Sequence, residues 1–422
     1  MNMEQTLSII IFLIVIIAIV TEKVHRAAAA VGGGVLLLLT HVLTVETSVK
    51  YIDFNTIGVL IGMMLFVAVV KCSGIFEYIS IKAAKLAKGN PWHIMIAFMI
   101  ITAVLSAFLD NVTTVLLIGP MTIAISRVLK LDPVPFLLTQ ILASNIGGTA
   151  TLIGDPPNIM IGSAAKLTFM DFMMNTGPVV IVIMVALCLC AKVIYKKKLV
   201  VDKEDIDEVM LMDEKKAISD PVLMKKSIVM ILLVAVGFML HSKLGVESAT
   251  IALTAAAIML VIGKQDVENI IGEVEWTTIL FFTGLFVVVG GMVETGVIDQ
   301  LARIIMDLTK DHNVVTMIVL LWASALLSSI LDNIPFVATL IPLILAMEQN
   351  GVDVTSLWWA ISLGACLGGN GTLIGASANV VLSGISSKHG HPITFNRFLR
   401  IGFPIMILSV AISTIYLLLR YA

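Results

Sequence analysis

The sequence predicts an all-α polytopic membrane protein of two inverted repeats, each with five transmembrane helices, one of them broken at the site, and one re-entrant hairpin. Three observations predict it. The chain is 59% hydrophobic and 13% charged, with a mean hydropathy of +1.04, whereas soluble domains average about 45–50% apolar and about 25% charged. Apolar runs of the roughly 20 residues needed to cross a bilayer recur along it. Finally, Phe108-Leu109-Asp110-Asn111-Val112 returns as Ile330-Leu331-Asp332-Asn333-Ile334, an offset of 222 residues from Asp110 to Asp332.

Taken in order, the apolar runs near 6–21, 26–43, 54–71 and 176–194 predict four crossings in the first half. Their counterparts lie near 227–241, 247–263, 276–293 and 401–420. Between them, each half carries a long apolar stretch interrupted at Asp-Asn, at 92–128 and 313–347, read as a hairpin turning at that pair. A second stretch in each half, 134–165 and 357–386, is interrupted by glycines and read as a crossing helix unwound in the middle. Irregular backbone survives at membrane depth only where protein or a water-filled cavity satisfies it. Residues 1–195 and 227–422 thus form the repeats, and 196–226, with Lys196-Lys197-Lys198 and many acidic residues, a solvated cytoplasmic linker. Five crossings per half is an odd number, so the second copy is inverted.

Lys and Arg collect on the cytoplasmic side of membrane proteins. With the N-terminus outside, 21 of the 27 basic residues fall inside, Arg26, Arg397 and Arg400 among them. Both termini are then outside, in a plasma membrane. Glu4 and the absence of Lys or Arg before Lys23 argue against a cleavable signal peptide. A net charge of −2 argues against nucleic acid, and Cys72, Cys188, Cys190 and Cys366 form no metal or disulfide pattern. The bilayer is the expected partner; pairing into a homodimer is left open.

An aspartate deep in an apolar run costs about 2.5–3.5 kcal/mol on insertion scales. Asp110 and Asp332 therefore read as sites that bind a cation or carry a proton, with the Asn111 and Asn333 carbonyls and the Thr113 hydroxyl beside them. Sodium at Asp110, Asn111, Asp332 and Asn333 is one such occupant. The same aspartates suit the N-cap of a half-helix, and the two roles can coexist.

The unwound segments add Asn145, Gly148, Thr149, Thr151 and Asn158 in the first half and Gly369, Asn370, Thr372 and Asn379 in the second. Glycine lets backbone approach a ligand closely. The amides and hydroxyls can coordinate ions, and half-helix ends present N–H groups to anions and carbonyls to cations. Pro156-Pro157 suits the start of the second half-helix. Close helix packing explains the glycines alone, but not the Asp, Asn and Thr beside them. Asp155 breaks the repeat, since Ala376 stands at its counterpart. An unduplicated carboxylate is a candidate for coupling to protons or sodium; a cap on the half-helix opened by Pro156 is the plain alternative.

Other features read more blandly. The seven histidines fall near helix ends or loops, Phe76 to Lys88 suits an interfacial helix, Trp358-Trp359 an aromatic belt, and Cys366 a packed apolar position. With no HExxH, GxSxG or clustered His/Cys, an intramembrane enzyme is not expected, and no cofactor is expected beyond a coupling ion, H+ or Na+. A passive channel is the rival to a carrier, and coupled counter-flux separates them.

The stretches Ala143 to Asn158 and Gly364 to Asn379 resemble the ion transporter superfamily, particularly the branch of arsenite permeases, NhaD-type sodium/proton antiporters and the P protein. The likeness covers nearly the whole chain. It implies a scaffold and a transport unit of two opposed hairpins and two broken helices, with a small inorganic ion bound at the hairpin tips. Relatives in the dicarboxylate branch carry Ser-Asn-Thr at those tips; Leu109-Asp110-Asn111 and Leu331-Asp332-Asn333 stand here instead, and anionic tips repel carboxylate substrates. Ion-coupled alternating access follows, with proton-coupled efflux of an arsenite- or antimonite-type oxyacid ahead of sodium/proton antiport, and an anion channel or P-protein-like transport of anions or organic ions as the further alternative.

Overall fold

The computed structural model describes residues 3–21, 23–196, 199–309 and 313–422. Lys197, Lys198 and Lys310, counted in the charge argument, lie outside them. The first half runs α1 (Met3–Thr21), α2 (Arg26–Leu39), α3 (Val45–Tyr51), α4 (Phe54–Lys71), α5 (Ile75–Leu86), α6 (Pro91–Phe108), α7 (Asn111–Val128), α8 (Val134–Gly148), α9 (Pro156–Ala165), α10 (Phe169–Asn175) and α11 (Gly177–Tyr195). After α12 (Lys203–Leu211) come α13 (Pro221–Leu244), α14 (Ser248–Gly263), α15 (Val267–Gly272), α16 (Trp276–Glu294) and α17 (Val297–Thr309). The chain ends with α18 (Asn313–Ile330), α19 (Asn333–Gln349), α20 (Thr355–Gly368), α21 (Ser377–Lys388) and α22 (Phe395–Tyr421).

Among the described residues there is no strand, and nine helices are long and apolar enough to cross a membrane. The chain is a multi-pass membrane protein. Every element from α13 to α21 has a first-half counterpart from α1 to α9. The exception lies at the end of each half. Thr168 and Thr394 each cap a helix through a side-chain oxygen, but α10 stops before Gly177-Pro178 whereas α22 continues through Pro404 as one helix.

Packing exchanges the halves. Helix α2 lies against α16 while its counterpart α14 lies against α4; α7 lies against α21 and α19 against α9. Within each half the first hairpin arm packs on the broken helix, α6 on α8 and α18 on α20. The centre is dry. All of Val134 to Gly148 in α8 and all of Leu357 to Gly368 in α20 are buried.

Three expectations meet corrections here. Trp358 and Trp359 are 5% and 3% exposed, not belt residues; α20 is a central helix, and Trp359 meets Phe172 edge-on at 5.2 Å. In α5, Phe76 and Ala83 are buried as expected of an apolar face, but Leu86 is 75% exposed. The linker is docked rather than simply solvated. Lys85 Nζ reaches Glu214 Oε2 at 2.6 Å and the Met212 carbonyl at 3.1 Å, Lys130 Nζ reaches Asp205 at 2.7 Å, and Val209 is fully buried. The Lys85 ammonium holds the Glu214 carboxyl below its ordinary range.

Candidate functional site

The hairpin tips are built by caps. Asp110 Oδ1 accepts from the Thr113 amide at 2.8 Å and Oδ2 from the Thr113 hydroxyl at 2.5 Å, starting α7. Asp332 Oδ1 accepts from the Ile334 amide at 3.3 Å, starting α19. Both aspartates therefore cap, as the local sequence allows. Asp155 does not: its side chain makes no capping bond to α9. Instead it is fully buried and receives Asn333 Nδ2 at 3.2 and 3.4 Å.

Behind the tips a set of amides clamps the two breaks. Asn158 Nδ2 donates to the Thr151, Thr149 and Gly148 carbonyls at 2.9, 3.3 and 3.4 Å. Asn379 Nδ2 donates likewise to the Gly369 and Thr372 carbonyls at 2.7 and 2.9 Å. Each clamp is completed from the opposite repeat. Asn145 Nδ2 donates to Asn379 Oδ1 at 3.0 Å and Asn370 Oδ1 at 2.9 Å, while Ser362 Oγ and Cys366 Sγ donate to Asn158 Oδ1 at 2.7 and 3.5 Å. Buried backbone carbonyls freed by unwinding are thus satisfied, as low-dielectric surroundings require.

Hydroxyls fasten the breaks, Thr149 to its own helix and Thr151 and Thr372 to the hairpin arms. Thr149 Oγ1 donates to the Asn145 carbonyl at 2.7 Å, Thr372 Oγ1 to the Ser329 carbonyl at 2.5 Å, and Thr151 Oγ1 to the Ala107 carbonyl. Gly148 and Gly369 serve closeness within each break, a Cβ on them falling 2.4 Å from the Gly154 oxygen and 3.0 Å from the Ala376 Cβ. Gly147 and Gly368 do the same between helices: a Cβ would stand 2.2 Å from the Ala103 carbonyl oxygen and 2.6 Å from that of Ala325. Backbone cannot yield as a side-chain tip can. Gly147→Ala and Gly368→Ala are therefore expected to cost about 1–3 kcal/mol each by overpacking, read as a lower unfolding temperature. Gly384→Ala, with open space around it, is expected to leave that temperature unchanged or raise it.

Of the residues singled out from sequence, Asp110, Asn111, Asp155 and Asn333 converge on one cavity of about 20 Å³, room for about one water molecule. Asn145, Gly148, Thr149, Thr151, Asn158, Gly369, Asn370, Thr372 and Asn379 stand in the supporting network outside its lining, and Thr113 supports Asp110. Asn111 Nδ2 donates to Asn145 Oδ1 at 3.1 Å, and Asn111 Oδ1 is buried with no partner among the described residues. Asp332, expected to mirror Asp110, lines a separate cavity of about 350 Å³.

Sequence reasoning missed four residues, Arg26, Glu275, Thr278 and Ser377, that line the inner cavity. Arg26, counted from sequence as a cytoplasmic charge, bonds Asp332 Oδ2 at 2.9 Å and Ser377 Oγ at 2.6 Å and stacks 5.3 Å over Phe281. Ser377 Oγ also lies 3.0 Å from Asp332 Oδ2, and Thr278 Oγ1 donates to Glu275 at 2.9 Å. Two signals pointed to Arg26. It opens α2, where a cation opposes the helix dipole, and its counterpart is the uncharged Ser248. Arg26 and Ser377 belong to both cavities, so the ion pair stands between them.

Similarity to known proteins agrees with this architecture. The 46 kDa membrane protein of Mycobacterium leprae is 42% identical over 375 residues, covering 88% of this chain and 87% of its own. An uncharacterized transporter of Mycobacterium tuberculosis is 44% identical over 373 residues, with the same coverage. The human P protein is 35% identical over 463 residues, covering 91% of this chain but 54% of its own. Among solved structures, the Alcanivorax borkumensis YdaH transporter matches with a TM-score of 0.61 at 16% identity, over 99% of this chain and 98% of that one. MtrF of Neisseria gonorrhoeae, from a class of antimetabolite efflux pumps, gives 0.59 at 13%, over 99% and 94%. These two share the fold. With residues 16–364 matching the citrate transporter family, CitMHS, the chain belongs to that family of membrane transporters and is not an enzyme.

Proposed function

We propose an ion-coupled secondary active transporter that works by alternating access and exports a small oxyacid of the arsenite or antimonite type against protons. The observation that carries this is the inner cavity, where Asp110, Asp155 and Glu275 face a single guanidinium, Arg26. Three carboxyl groups beside one guanidinium that is already paired with Asp332 favour a cation or a neutral hydroxyl-bearing solute over an anion. A solute with several O–H groups can donate to these carboxylates and to the unpartnered Asn111 Oδ1. Citrate, named by the family description, would bring three carboxylates of its own against that field. A cavity closed to about 20 Å³ must widen for any polyatomic solute, least for a small one.

Sodium/proton antiport is the second reading. It is favoured by the same Asn111 Oδ1, a hard carbonyl ligand beside Asp110. In either case Asp155 is the coupling carboxylate, with H+ or Na+ as the coupling ion. The repeats 1–195 and 227–422, joined by 196–226, rock about the site, with both termini outside a plasma membrane. In that orientation the 350 Å³ vestibule opens to the cytoplasm, and the Arg26–Asp332–Ser377 cluster closes it from the inner cavity.

Purified protein in sealed vesicles, challenged with arsenite, antimonite, sodium and citrate under an imposed pH gradient, tests this. Uphill arsenite or antimonite flux that collapses the gradient is expected. Sodium-driven proton movement without oxyacid flux moves the assignment to antiport, and uphill citrate flux overturns both.

A further inference from the structure

The end of α11 and the start of α22 enclose a cavity of about 550 Å³ that shares no lining residue with the transport site and holds Tyr195, Arg397 and Arg400. The two helices run in opposite senses here, one ending at Tyr195 and the other starting at Phe395. The polar groups therefore lie level with the helix ends, where headgroups lie. Sharing Ile194, Arg400 and Ile401 with this cavity is an apolar groove of about 410 Å³ that runs on to Leu189 and Leu408. From Arg400 to Leu408 is about 12 Å of helix at 1.5 Å per residue, so the groove descends toward the hydrocarbon.

Two groups in the cavity lack what burial or charge demands. Tyr195 is 4% exposed, yet its buried hydroxyl has no hydrogen-bond partner among the described residues. Buried hydroxyls left unpaired cost about 1–3 kcal/mol, so the position calls for an acceptor or donor from outside the chain. Arg400 makes no ion pair among the described residues, while Arg397 bonds Asp132 at 2.8 Å. The cavity's lining charges, Asp132, Arg397 and Arg400, sum to a surplus cation. Pro404 adds to the opening, because it has no N–H to donate to the Arg400 carbonyl one turn earlier.

We infer that this cavity and groove bind an anionic phospholipid, its phosphate held by Arg400 and Tyr195 Oη and its acyl chain lying along Ile194, Ile405 and Leu408. A phosphate oxygen both accepts from the tyrosine hydroxyl and neutralises the guanidinium, and an acyl chain is the natural filling of an apolar furrow that starts at that charge.

The experiment is native mass spectrometry of the purified chain, titrated separately with dioleoyl phosphatidylglycerol, dioleoyl phosphatidylcholine and glycerol 3-phosphate. Phosphatidylglycerol is expected to stay bound where the other two do not. Arg400→Gln should weaken it about fivefold, the equivalent of about 1 kcal/mol per basic residue at an anionic surface, and Tyr195→Phe should weaken it without loss of fold. Equal retention of both lipids, or unchanged binding in Arg400→Gln, overturns the inference. Glycerol 3-phosphate binding as well as the lipid overturns it in favour of a soluble-anion site.

Discussion

Asp155→Asn is expected to abolish concentrative transport while downhill exchange of the same solute continues. The substitution keeps the size of the side chain and removes its capacity to hold a negative charge. Because Asp155 caps nothing, helix α9 loses no bond by it. Asn333 can turn its amide so that its carbonyl meets the new amide nitrogen, so the packing at the cavity survives. Under the proposed role of Asp155, the substitution removes the difference in proton or sodium affinity between the two faces of the cycle, and a ligand shifts a conformational equilibrium only through such a difference. Accumulation measured in vesicles under an imposed gradient should fall to a ratio of about 1, that of an uncoupled carrier. A variant that still concentrates its solute with an unaltered pH profile removes Asp155 from coupling and moves the role to Asp110.

Arg26→Gln is expected to be nearly as damaging, for a different reason. It leaves Asp332 without its counter-charge between two cavities, where the carboxylate side chain is 13% exposed and the lost guanidinium partner was 29% exposed. Stranding one member of a fully buried pair costs about 3–5 kcal/mol, and the partial exposure of Arg26 places this pair toward the lower end. The single variants Arg26→Gln and Asp332→Asn should each lose most transport and lower the unfolding temperature. Combining them removes both charges, so the double variant should recover stability beyond the sum of the singles. Strict additivity would show that the ion pair contributes no coupling.

Much of this protein was legible in the sequence because its signals are local. The apolar runs match their helices within one residue at Phe54–Lys71 and Gly177–Tyr195, but start six residues late at Pro221–Leu244 and Phe395–Tyr421. The duplicated Asp-Asn and Gly-rich interruptions marked both hairpin tips and both helix breaks. Asp155 stood out because its counterpart is an alanine. Glu275 was not legible as a site residue and Arg26 was marked only by its helix-start position and its uncharged counterpart, since each borders an apolar run and borders normally face water. They enter the cavity only because α2 and α16 cross between the repeats. Trp358 misled for the matching reason: belt statistics describe helices that touch lipid, and α20 touches almost none.

The mutual clamping of the two breaks bears on how the chain is made. The Asn158 carbonyl finds its donors at Ser362 and Cys366, which are 204 and 208 residues further along. At synthesis speeds of about 5–20 residues per second, the first half waits roughly 10–40 s for them. During that interval an unwound segment with exposed amides must be kept from the hydrocarbon. The insertion machinery therefore has to shelter the first repeat until nearly the whole polypeptide has emerged from the ribosome.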